Sequence, residues 1–162
     1  MEEEKIDNEQ KDLKKRIINI YIDGGCSHNG KENSIGKFGY VSIENDKILH
    51  SELKAERKTT NNRMEMKAMI LALRYLKTIE YESCDIFTDS SLVKRGITEW
   101  YPNWEKKNFK NIKNVELWKE LYSLYKETNN IKIKWVKGHN NNKWNEYIDL
   151  QLKKLNIEKS II

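Results

Sequence analysis

The chain has 162 residues, of which 38% are hydrophobic and 34% charged, with five tryptophans, one proline and a formal net charge of +5. That length suits one domain with a real core, and a basic chain rich in aromatics points to a polyanionic partner. Two cysteines exclude a disulfide framework and favour a reducing compartment, no run is apolar enough to span a bilayer, and an acidic start argues against a secretory or Arg-rich transit signal.

Residues 1–15 carry six acidic and four basic side chains and almost no apolar ones. They read as a flexible charged tail, or as a short helix docked by Ile6 and Leu13. Residues 16–157 read as the folded domain and residues 158–162 as a C-terminal tail.

Residues 16–25 form the first strand signal. Ile18, Ile20 and Ile22 share one face; Asn19, Tyr21 and Asp23 share the other. Asp23 closes the strand, and Gly24 and Gly25 predict a sharp turn. A polar loop follows from Cys26. Strands are expected over residues 38–43 and 47–53, joined by a turn at Asn45 and Asp46, which makes an antiparallel meander.

Next comes a helix opened by Thr and Asn caps, with Met64, Ala68, Leu71 and Tyr75 on one face and Glu65 in its first turn. For Glu65 alone, dipole stabilisation is a sufficient reason to be there. Residues 84–88 read as a short buried strand ending at Asp89. Ser90 then opens a helix expected to stop at Gly96. A helix between a meander and a further strand implies a crossover and a mixed sheet.

Residues 100–113 interleave aromatics with lysines. That suits either a nucleic-acid surface or a helix whose tryptophans cover the core. Residues 115–125 form a helix with Val115, Trp118, Leu121, Tyr122 and Tyr125 on one face. Residues 131–136 alternate as a strand. A Lys-Gly-His loop follows, then a last helix over residues 143–155 with Trp144, Ile148, Leu152 and Leu155 aligned. Asp149 lies beside that apolar stripe, where a carboxylate costs desolvation unless something positive meets it. His28 and His50 have no metal-type spacing and read as surface residues.

Several motifs now fall in one order. They are Asp23-Gly-Gly-Cys-Ser-His-Asn-Gly, Thr59-Thr-Asn-Asn-Arg-Met-Glu65-Met, Thr88-Asp89-Ser90, Gly96-Ile-Thr-Glu-Trp, Lys113-Asn-Val-Glu-Leu-Trp, Trp135-Val-Lys-Gly-His139, Asn145-Glu146 and Asp149. From about residue 17 to about residue 155 the chain resembles the ribonuclease H family, type 1, hybrid-specific endonucleases. The resemblance implies an α/β fold, ribonuclease H-like, with a five-stranded mixed sheet in order 3-2-1-4-5 and helices on both faces.

It also implies an endonuclease that hydrolyses the RNA strand of RNA–DNA hybrids. The ends left are a 5′-phosphate and a 3′-hydroxyl, with little sequence preference. Asp23, Glu65, Asp89 and Asp149 match the metal ligands, for two Mg²⁺ ions with Mn²⁺ as a substitute. Glu65 also reaches the RNA 2′-hydroxyl. His139 matches a residue that assists proton movement or product departure. Gly24, Gly25, Cys26, Asn29, Asn61 and Asn62 match RNA-strand contacts. Trp100 and Trp104 would lie under the DNA strand, with a phosphate held by Lys58, Thr60 and Asn103.

The chemistry explains the donors. Two divalent ions can activate water and stabilise the leaving oxygen, and Mg²⁺ takes oxygen ligands while keeping waters. Four acids crowded without metal repel and titrate as a coupled set. The chain departs from the pattern in a short, less charged segment after Trp104, in Gly25, and in the residues flanking Asp149. Two rivals stay open: a non-catalytic hybrid- or duplex-RNA-binding module, and a related nuclease acting on DNA junctions. A monomer in the cytoplasm or nucleus, away from membranes, is expected.

Overall fold

The computed structural model describes residues 15–138 and 142–162. Five strands, β1 (Ile17–Ser27), β2 (Ile35–Glu44), β3 (Lys47–Arg57), β4 (Ser83–Thr88) and β5 (Ile131–Trp135), form one sheet in the order 3-2-1-4-5. β1, β2 and β3 pair antiparallel, as short connections allow; β1 with β4 and β4 with β5 pair parallel. Parallel neighbours need crossovers, and helices supply them. Helix α1 (Asn61–Leu76) links β3 to β4. Between β4 and β5 run α2 (Ser91–Arg95), a π-helical turn (Gly96–Trp100), α3 (Tyr101–Lys106) and α4 (Val115–Glu127). Helices α5 (Lys143–Lys154) and α6 (Ile157–Ser160) follow. No helix among the described residues is long and apolar enough to cross a membrane.

β1 is the central strand of the sheet and packs on both faces. Ile18, Ile20 and Ile22 join Met64, Ala68 and Leu73 of α1 and Trp118 and Leu121 of α4 in the larger core. On the other face Tyr21, Val41 and Ile43 pack with Ile148 and Leu152 of α5. The alternation and the helical stripes read from the sequence are these two cores. Thr60 starts α1: its backbone is extended, and its hydroxyl accepts the Arg63 N–H at 3.3 Å. Asn45 and Asp46 both take positive φ (52° and 58°), the pair a tight hairpin requires.

Three expectations need correction. β1 does not turn at Gly24–Gly25; it stays paired with β2 as far as Ser27 opposite Ile35. Gly24 serves close approach instead, because a Cβ there would lie 2.5 Å from the carbonyl carbon of Met64 in α1. The helix after β4 does not stop at Gly96. That residue is right-handed (φ −56°, ψ −50°), and the chain continues through the π-helical turn into α3. A Cβ on Gly96 would lie 2.3 Å from the buried Trp118 ring, so this glycine is dictated by packing. The C-terminal residues are docked: α6 leads to Ile161, which bridges to Ala55 on the edge strand, and Ile162 N–H donates to the Ala55 carbonyl at 3.1 Å. The flexible-tail expectation for the N-terminus falls on residues 1–14, outside the described residues.

Gly96→Ala forces a methyl group into the Trp118 ring. It is expected to lower unfolding free energy by about 1–3 kcal/mol, the usual cost of overpacking, measured by urea denaturation against wild type.

Candidate active site

The parallel register of β1 and β4 pairs Tyr21 with Phe87, and their rings stack at 4.7 Å. Two residues further along stand Asp23, inside β1 opposite Gly39 of β2, and Asp89, the residue just past the end of β4. Both line one cleft beyond the carboxyl end of β4, the usual place for a site in an open α/β sheet. Glu65 comes from the other side. The bare backbone of Gly24 lets α1 approach so closely that a Cβ there would be 2.7 Å from the Glu65 nitrogen. Asp149 arrives on α5, held by the packing of Ile148 and Leu152 on either side of it in sequence. Asp23, Asp89 and Asp149 line a cleft of about 570 Å³, with Gly24, Cys26 and Glu146 on its walls.

The electrostatics show how close these acids are. Burial pushes Asp23 up to about 7, and the charges of Asp89, Asp149 and Glu65 add to the shift; the Gly24 N–H, donating to Asp23 Oδ1 at 2.9 Å, opposes it. Burial also raises Glu65 to about 7. The charge of Asp89 and a hydrogen bond shared with it add to this, while a hydrogen bond with the Ser90 hydroxyl opposes it. Asp89, itself exposed, is therefore the acid that both others feel.

Asp149 is differently placed. Its Oδ2 lies 2.9 Å from Lys153 Nζ, one turn further along α5, so a cation already meets it. Among the described residues no three of His, Cys, Asp and Glu close on a single point. The donors these four acids offer are all carboxylate oxygens, the type a hard divalent cation takes. Mg²⁺ is held by one or two carboxylates and completes its shell with water and phosphate.

The residues expected on the RNA side are knitted together. Asn61 Oδ1 accepts the Cys26 N–H at 2.7 Å, and Asn29 Oδ1 accepts the Asn61 N–H at 2.9 Å. This fixes the end of β1 against the start of α1, with Gly24 and Gly25 between Asp23 and Cys26; Asn62 is exposed beside them. On the other flank Trp100 and Trp104 lie 5.9 Å apart, and Arg95 sits over Trp100 at 4.5 Å. Trp104 also packs edge-on against Trp118 at 5.0 Å, so it covers the core as one reading of this segment expected. Of the phosphate group, Thr60 is the cap of α1, Lys58 pairs with Glu32 at 2.9 Å, and Asn103 is exposed on α3. His139 lies outside the described residues.

Three participants escaped the sequence reading. Ser90 read only as a cap, and its hydroxyl does accept the Val93 N–H at 3.1 Å, yet it is also the group that opposes the raised pKa of Glu65. Lys153 was legible as an i+4 partner of Asp149. The indole of Trp135, which donates to the Asp89 carbonyl at 3.0 Å, left no sequence signal.

A family model described as RNase H matches residues 15–156. The Ribonuclease H of Campylobacter concisus (strain 13826) is 41% identical over 139 residues, covering 83% of this chain and 88% of that protein. The Ribonuclease H of Clostridium botulinum (strain Hall) is 40% identical over 141 residues, covering 83% and 91%. The crystal structure of LC9-RNase H1 superposes with a TM-score of 0.74 at 25% identity, over 86% of this chain and 72% of that one. The solution structure of the PFV RNase H domain has the same fold (TM-score 0.69, 20% identity, 91% and 98% covered).

The acid shifts have a definite sign. Asp23 and Glu65 titrate near 4 when unfolded and near 7 when folded without metal. The folded state then binds more protons, so these groups favour folding below about 4 and that contribution is lost as pH rises through about 7. Asp23→Asn is expected to gain metal-free stability over wild type at pH 8 and little at pH 4, read from urea melts at both pH values.

Proposed function

The chain belongs to the RNase H family, and on that premise we propose how its residues carry out the family reaction, endonucleolytic cleavage of the RNA strand of an RNA–DNA hybrid. Divalent-metal dependence comes with the family. The observation that carries the residue assignment is that Asp23, Asp89 and Asp149, far apart in the chain, line one cleft, while the close approach at Gly24 sets the Glu65 backbone next to Asp23.

Asp23 and Asp89 would hold two Mg²⁺ ions most directly, with Mn²⁺ as a substitute. Glu65 would also be a ligand and would reach the RNA 2′-hydroxyl. Asp149, paired with Lys153 in this structure, would serve one ion only. The chemistry supplied by the bound ions is activation of the attacking water and neutralisation of charge on the leaving oxygen. The positive charge of bound ions would oppose the shifts that burial and neighbouring carboxylates give Asp23 and Glu65, favouring their ionised forms. His139 assists proton movement or product departure. The ends left are a 5′-phosphate and a 3′-hydroxyl.

Substrate choice rests on the 2′-hydroxyl, reached across the wide minor groove of an A-like helix. The backbone of Gly24, Gly25 and Cys26 and the amides of Asn29, Asn61 and Asn62 face the RNA strand. The DNA strand lies over Trp100 and Trp104, and one of its phosphates is held by Lys58, Thr60 and Asn103. These contacts read backbone geometry, so sequence preference is slight. Residues 16–157 act as the catalytic domain.

Labelled hybrid, duplex DNA and duplex RNA, each incubated with the protein and Mg²⁺, test the proposal. Cleavage of the hybrid's RNA strand alone is expected; cutting of duplex DNA, or binding without cutting, sinks it. Asp89→Asn should lower the rate by at least about 100-fold, the scale of losing one preorganised electrostatic contact, with unchanged circular dichroism. Trp100→Ala should raise KM for the hybrid roughly 5-fold or more, as loss of about 1 kcal/mol of stacking requires.

A further inference from the structure

Trp135 ends β5 and remains 48% exposed, although the alternation of its strand puts it on the inward face with Ile131 and Ile133. A large aromatic left half in water at the end of an edge strand is not explained by packing. Its polar edge is explained by one bond: Nε1–H donates to the backbone carbonyl of Asp89 at 3.0 Å. That carbonyl has no place in regular structure. The β4–β5 ladder reaches its last pair at Thr88 and Trp135, and the Val136 N–H goes to the Thr88 carbonyl at 2.8 Å. The first carbonyl of α2 to accept an intrahelical bond is that of Ser90, from Lys94 N–H at 3.2 Å. Asp89 falls in the gap between ladder and helix, so a side chain must supply the donor.

The peptide joining Asp89 to Ser90 is planar and is held at both ends. Its N–H, that of Ser90, donates to the buried Thr88 hydroxyl at 3.1 Å, and its carbonyl, that of Asp89, accepts the Trp135 indole N–H; the Ser90 hydroxyl caps Val93. Fixing the carbonyl fixes the plane from which the exposed carboxylate projects, and an exposed carboxylate has no packing of its own to hold it.

We propose that Trp135 is a positioning residue, whose indole N–H holds the Asp89 backbone so that the Asp89 carboxylate is preset for a divalent cation. This rests on the reading of Asp89 as a metal ligand. Trp135 does not touch the hybrid in this role.

The test removes only the N–H. Replacing Trp135 with 3-benzothienylalanine keeps the ring's shape and puts sulfur in place of the donor; Trp135→Phe is the genetic counterpart. Mg²⁺ affinity of the metal-free protein is measured by calorimetry for wild type, both Trp135 variants, Asp89→Asn and the double variant, with thermal melts beside each. Loss of one net hydrogen bond predicts Mg²⁺ binding roughly 3- to 10-fold weaker in the isostere with its melting temperature held. No further loss is expected when the isostere is added to Asp89→Asn. In steady state, kcat should fall at limiting Mg²⁺ and recover as Mg²⁺ is raised, with KM for the hybrid unchanged. If the isostere binds Mg²⁺ as wild type does while Asp89→Asn does not, the positioning role is wrong and the metal-site reading stands. If Asp89→Asn binds Mg²⁺ as tightly as wild type, the metal-site reading itself is wrong and the inference goes with it.

Discussion

Like charges brought together out of water govern this molecule. Burial and the charge of Asp89 raise the energy of ionising both Asp23 and Glu65, and Asp149 and Glu65 add their charges to Asp23. Nothing in the hydrophobic core asks for that arrangement. It persists because each acid is carried by an element with its own reason to be there. Asp23 shares a face of the central strand with Tyr21, opposite the buried isoleucines, and Glu65 rides on a helix buried along Met64, Ala68 and Leu73. Asp149 is clamped between Ile148 and Leu152. Burial of those apolar groups offsets the repulsion, and a bound cation of high charge removes it.

Small residues set how near the elements come. Without a side chain on Gly24, β1 and α1 touch backbone to backbone, and that contact delivers Glu65 to the strand ends. Without one on Gly96, the Trp118 ring fits beneath the π-helical turn. From there an aromatic series runs outward: Trp118 meets Trp104 at 5.0 Å, Trp104 meets Trp100 at 5.9 Å, and Arg95 covers Trp100. The surface assigned to the DNA strand is thus the outer end of the core. This settles why a stretch of aromatics and lysines reads equally well as packing and as binding surface.

The RNA side works by a different principle. Its residues are bonded to one another, Cys26 to Asn61 and Asn61 to Asn29, so the groups proposed to meet the sugar edge are held by the protein itself. Preorganisation of this kind suits recognition of a helical shape. The phosphate group is less settled: Lys58 is engaged with Glu32, an exposed pair of little energetic weight that a phosphate can displace.

Most of the architecture is legible in the residues alone. Period-2 runs in β1 and β5, the 3.6-period stripes of α1, α4 and α5, and the Asn45–Asp46 turn are local signals, because side-chain direction and backbone preference act over a few residues. The ordered motifs also identify the acids by resemblance. What the sequence could not determine depends on contacts between residues far apart in it. Whether Gly24 and Gly96 turn the chain or admit a neighbour is decided by Met64 and Trp118, and both admit a neighbour. The docking of Ile161 on Ala55 and the support of Asp89 by Trp135 join residues 106 and 46 positions apart in the chain. Only packing brings such partners into reach, since a single hydrogen bond cannot repay the closure of so long a loop and forms once the sheet has already closed it.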